Sequence, residues 1–223
     1  MVVQPWFPEQ VTVPNNVAES EYGVRLRFLR KVGTMHFLSL VGVFSIRFLG
    51  FPRVPIEYIA ALILGCLALL NTARRIKRGG SLDRMLSVLL FPAIAFGYGL
   101  LIVHPPISFL WYVSAGCAIG TVGYLWLCGW DFSFTGQFAI ALIFAILGIL
   151  AAHWLGHLPS HQVGWAILSA FVLQFYYDYD LASILRRRVE GEEWPAAMDL
   201  YRDVLNFVTY GVRVIHHWRT FNI

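Results

Sequence analysis

Hydrophobic residues in this chain come in long runs that are almost free of charge, separated by short polar breaks. Seven such runs are present: about Val32–Leu49, Pro55–Ala73, Met85–Val103, Ile107–Cys128, Phe134–Leu155, Val163–Tyr179 and Leu200–Trp218. Each has the length of roughly 17–25 residues that a helix needs to cross a bilayer. The pattern predicts an all-α integral membrane protein, a seven-transmembrane-helix bundle. Polar residues spaced three or four apart along the last run, such as Asp203, Asn206 and Tyr210, put the C-terminal helix at its centre. Residues 1–31 read as a polar N-terminal segment and residues 32–223 as the membrane domain. The connector 182–199 is the other long polar piece, and no repeat or second domain is visible.

Composition agrees with the pattern. Of 223 residues, 58% are hydrophobic and 13% charged, about half the charged share of a typical soluble domain. The opening MVVQPWFPEQ lacks the basic and apolar regions of a cleavable signal. Cys66, Cys117 and Cys128 sit in apolar runs without CxxC spacing, which implies packing and no disulfide framework. No phosphate loop, GxSxG elbow or HExxH motif occurs, so the chain reads as a non-enzyme.

The basic residues orient the bundle. Thirteen of the 17 lysines and arginines, including Arg25, Arg30, Arg74, Arg75, Arg84 and Arg186 to Arg188, fall on the side of the N-terminus. The other four, Arg47, Arg53, Arg213 and Arg219, fall on the far side. That bias predicts a cytosolic N-terminus. It also explains the net charge of +4 as topology, with no nucleic-acid partner.

Topology gathers the unusual acids at one face. Asp178 and Asp180 close the sixth run, Asp203 opens the seventh, and Arg74 ends the second. Along the seventh run Asp203, Asn206, Tyr210, Arg213 and His217 are spaced three or four apart, one stripe of a helix. Lipid cannot satisfy such a stripe, so it predicts a face turned toward the bundle interior or a water-filled cavity. Asp178, Asp180 and Asp203 could instead be interfacial acids solvated by headgroups.

The stretches YDYDLASI and LYRDVLNFVTYGVR resemble the C-terminal signature of the transmembrane Bax inhibitor motif family, with a Tyr-Asp pair ending helix six and Leu-Tyr-x-Asp-x-x-Asn opening helix seven. VRLRFLRKVGTMHFLSL, NTARRIKR and DFSFTGQFAIALIF are similar to its patches at helices one, two and five, in order. Leu181-Ala182, Arg202 and Cys128-Gly129-Trp130 depart from the usual pattern. The resemblance implies a pH-sensitive calcium leak or cation-permeable protein. In it Asp180 and Asp203 form a pH-sensing pair able to hold a calcium ion, with Arg74 nearby and Arg75 as its alternative. Asp178, Asn206 and Arg213 are secondary candidates. The family name implies a part in apoptosis regulation, and the membrane is expected to be internal, endoplasmic reticulum or mitochondrion. No cofactor is implied beyond calcium, and no partner beyond the lipid bilayer and other membrane proteins.

The carboxylate pair is also sound chemistry by itself. Two acids sharing a partly buried site titrate as a unit, because both cannot ionise cheaply. A shared proton ties their helices together, and its loss recruits a cation with an appetite for oxygen ligands.

Two rival readings stand beside this one. His104, His153, His157, His161, His216 and His217 fall on the far face, with His36 elsewhere, and the HxxxH at 153–157 suits a histidine-ligated membrane metalloenzyme. A structural subunit of a membrane complex, keeping the fold without transport, would use the small residues Gly116, Gly120 and Gly123 for close helix contacts.

Overall fold

The computed structural model describes residues 12–46, 49–76, 80–104, 109–129 and 132–201. Among them regular structure is entirely helical: a short 3-10 turn at Val17–Glu19, then α1 (Tyr22–Ile46), α2 (Ile56–Ile76), α3 (Ser81–Ile102), α4 (Leu110–Leu127), α5 (Phe134–Trp154) and α6 (Ser160–Arg187). A further helical stretch covers 193–201. The seventh predicted run lies outside the described residues beyond that point.

Four helices, α2 to α5, are long and apolar enough to cross a bilayer, which fits a membrane protein. Their bounds follow the apolar runs closely. The two flanking helices do not. α1 begins at Tyr22, well before the apolar run at Val32, and α6 continues past Tyr179 to Arg187. Each extension is held by contacts from elsewhere in the chain, through a charged side chain on α1 and through backbone hydrogen bonds at the end of α6. Arg30 on α1 donates from Nε to the Leu125 carbonyl at 2.7 Å and from Nη2 to the Gly129 carbonyl at 3.1 Å. A guanidinium there satisfies the carbonyls that the end of α4 leaves over. The end of α6 is closed by the chain's own N-terminal segment: Val13 N–H donates to the Arg186 carbonyl at 3.0 Å and Val17 N–H to that of Arg188 at 2.9 Å. Among the described residues, 22–31 of the polar segment and 182–187 and 193–199 of the connector are helical, with residues 188–192 left as the turn.

α4 and α5 form the closest pair. A Cβ at Gly116 or Gly120 would meet the backbone of Ala145 or Ala141, so small residues on both sides let the two backbones touch. Gly123 has open space around it and takes no part. The larger apolar core joins α1, α2, α3, the end of α6 and residues 196–201, around Phe28, Leu70, Ile94, Ile184 and Met198. A smaller one lies between α4, α5 and α6.

Candidate functional site

α6 ends at Arg188, whose extended backbone stops the helix. The turn that follows needs Gly191, with φ at +88° in the left-handed region where glycine carries no side-chain penalty. It reverses the chain so that Glu192 and Asp199 come back onto Arg188.

That reversal assembles a buried ionic cluster. Arg188 donates from Nε and Nη2 to Asp199 Oδ2 at 2.9 and 2.7 Å. Arg74, from the end of α2, donates to the other oxygen, Asp199 Oδ1, at 2.6 Å and to Asp83 Oδ1 at 2.9 Å. Arg188 Nη1 stands 3.7 Å from both Asp83 and Glu192. Asp83, Arg188 and Asp199 are completely buried. Two guanidiniums meet three carboxylates, and Arg84 adds a third positive charge from a more exposed position, 3.8 Å from Glu192. Burial alone would pull the Arg188 guanidinium down, but the charges of Asp199, Glu192 and Asp83 outweigh it and hold it above its ordinary value. The cluster pins α2, α3, the end of α6 and the 193–201 stretch together. Asp83 lies in the first turn of α3, where the helix dipole favours an acid.

The sequence-derived site residues distribute as follows. The Arg74 side chain is 6% exposed, and its ionic contacts are Asp83 and Asp199. Asp180 is buried on α6, with Arg187 Nη2 at 3.6 Å. Asp178, two residues earlier, turns away into the bundle and accepts from Gln137 Nε2 at 2.7 Å and Gln174 Nε2 at 2.8 Å. Asp203, Asn206 and Arg213 lie outside the described residues, as does the side chain of Arg75.

Asp180 faces a cavity of about 260 Å³ between α1, α3, α4 and α6. Its wall includes His36, Tyr98, Thr121, Gln174 and Tyr177, and is completed by Leu200 and Tyr201 from the C-terminal stretch. Aromatic contacts shape it: the His36 ring stacks on Tyr177 and meets Tyr201 edge-on, while Tyr98 stacks on Tyr201. Ser39 and Tyr201 share a short hydroxyl hydrogen bond, and Tyr98 donates to the Tyr201 carbonyl at 3.1 Å.

Two histidines of the metalloenzyme reading meet backbone carbonyls. His153 Nδ1 lies 2.8 Å from the Leu158 carbonyl and His104 Nε2 lies 3.0 Å from that of Val54. Among the described residues no three His, Cys, Asp or Glu side chains gather where they could hold a metal ion. His216 and His217 lie outside the described residues.

Asp83, Arg188, Glu192 and Asp199 were not singled out by sequence reasoning, nor were Gln137 and Gln174. A signal existed for the glutamines: both interrupt apolar runs, and Gln174 stands four residues before Asp178, on the same helical face. Comparison with family models, with curated proteins and with solved structures found no match for this chain.

Proposed function

We propose that this chain is a seven-helix membrane bundle of the Bax inhibitor type, through which cations such as calcium leak under the control of a carboxylate pair, Asp180 and Asp203. The observation that carries the reading is the cavity beside α6. Asp180 supplies a carboxylate to its wall, and the same wall includes Leu200 and Tyr201, three and two residues before Asp203 in the sequence. A pair of acids at that position would hold a proton or a cation at the rim of an internal space. Lipid would not provide for such groups, so acids of this kind belong to a permeation path or a gate.

In this reading Arg74 acts on the pair indirectly. Its hydrogen bonds go to Asp199 and Asp83, and Asp199 stands four residues ahead of Asp203. Arg74 therefore sets the position at which the seventh run enters the bundle, and the titration of the pair follows from that placement.

A role as a structural subunit draws on a different observation, the ionic cluster itself, whose charges are already matched and which ties four segments into one joint. Calcium efflux from proteoliposomes containing the purified chain, recorded from pH 5 to 8, separates the two. The leak reading expects efflux above that of empty vesicles, varying with pH. Efflux equal to empty vesicles at every pH would leave the structural role standing.

A further inference from the structure

Behind the cavity wall lies a second polar site. Asp178 and Gln174 from α6, Gln137 from α5 and Thr121 from α4 meet among apolar side chains. Gln137 and Gln174 are fully buried, and Asp178 is 9% exposed. Both amide nitrogens converge on a single carboxylate oxygen, Asp178 Oδ1, and the Gln174 nitrogen also reaches Thr121 Oγ1 at 3.4 Å. Because an ionised carboxylate only accepts, these contacts identify the nitrogen end of each amide.

Three oxygens are left over. Asp178 Oδ2, Gln137 Oε1 and Gln174 Oε1 are buried and have no hydrogen-bond partner. A buried acceptor without a donor costs about 1–3 kcal/mol, and three in one place need a common explanation. Each amide nitrogen touches Asp178 Oδ1, so covalent geometry keeps each amide oxygen within roughly 5 Å of that atom. The carboxylate has no compensating cation either: among the described residues no arginine, lysine or histidine pairs with it.

We propose that Asp178, Gln137 and Gln174 form a binding site for a small monovalent cation of the sodium type, with Thr121 as a further oxygen. One carboxylate supplies one unit of charge, which matches a monovalent ion. Calcium prefers six to eight oxygens and would find too few here. The glutamine amides suit the task because their terminal torsion is soft and roughly two-fold. Without an ion the amides offer nitrogen to the carboxylate; with an ion beside Oδ2, a half-turn offers oxygen to the ion. The approach is from the cavity, since Thr121 and Gln174 line its wall while Asp178 and Gln137 stand behind them. The proposal does not depend on the calcium-leak reading, and it assigns the site to the aspartate that the family motif does not select.

The test is thermal unfolding of the purified full-length chain in detergent, with sodium chloride replacing choline chloride at constant ionic strength. Ligand linkage predicts a rise in Tm of roughly 3 °C or more at saturating sodium, with potassium giving less. Gln137→Met keeps the length and removes the oxygen, and Asp178→Asn removes the charge; each should abolish the sodium-specific rise, while Asp180→Asn keeps it. No sodium-specific rise in the unmodified chain would overturn the proposal and leave Asp178 with a proton alone. So would a rise that survives in Gln137→Met, whether or not Asp178→Asn folds. An equal response to calcium would overturn the monovalent assignment.

Discussion

Asp178 and Arg188 stand ten residues apart around the end of α6, and the two buried polar sites they anchor are built in opposite ways. At Arg188 every charge has an opposite: two guanidiniums bridge Asp83 and Asp199 through four hydrogen bonds of 2.6–2.9 Å. At Asp178 one carboxylate is held by neutral amides, and three oxygens stay unpartnered. Both sites are buried; compensation differs. The cluster's charges are matched, although Arg74 Nη2 and Arg188 Nη1 make no hydrogen bond of their own, and it serves as a joint. An unmatched acid in apolar surroundings is costly unless something else arrives, which makes it the place to look for an ion.

The contrast breaks first at the cluster. Arg74→Met leaves Asp83 and Asp199 short of a partner at full burial, and removal of one member of a buried ion pair costs about 3–5 kcal/mol. Most of the extracted variant should be aggregated on size-exclusion chromatography. Arg74→Lys keeps the charge but loses the planar fork that spans two carboxylates, so it should fall between. A variant Arg74→Met as stable as the parent would mean the cluster is no joint.

At the second site the sign reverses. Asp178→Asn keeps an oxygen for the two glutamine nitrogens and removes an uncompensated charge. In sodium-free buffer its stability should be unchanged or raised by about 1–2 kcal/mol, read as Tm by intrinsic fluorescence. A loss comparable to that of Arg74→Met would show that both sites are structural and erase the distinction.

The smallest effect belongs to the exposed ion pair. Lys31 meets Glu193 at 3.0 Å, with the lysine side chain 63% exposed, so water and salt screen the pair. Lys31→Ala should cost about 0.2–1 kcal/mol, vanishing at high salt. This sets the scale against which the buried cluster is judged.

Legibility in the sequence followed the same division. α2 to α5 were readable to within a few residues because their apolar runs end where the helices end. α1 and α6 run longer than their apolar cores, since Arg30 finds the carbonyls at the end of α4 and the N-terminal segment closes the end of α6. Hydropathy carries no trace of such long-range contacts. Arg74 was named as a candidate at the end of the second run, but its partners Asp83 and Asp199 were not. Asp83 stands just before the third apolar run and carried no signal of its own, and Arg188 counted only as one more topology-setting charge. Only the turn at Gly191 brings Asp199 against Arg188, and a turn's reach is a tertiary fact. Asp178 was placed second to Asp180 on motif grounds; the glutamine four residues before it was the better guide to its surroundings.

The central functional claim rests on Asp180 and Asp203 acting as one titrating unit. The direct test is calcium efflux from proteoliposomes across a pH series, comparing the parent chain with Asp203→Asn and Asp180→Asn. The account predicts that either substitution flattens the pH dependence, because a single remaining acid has no coupled partner, whereas Asp178→Asn leaves the pH response in place. Efflux from Asp203→Asn that follows pH as the parent does would contradict the account.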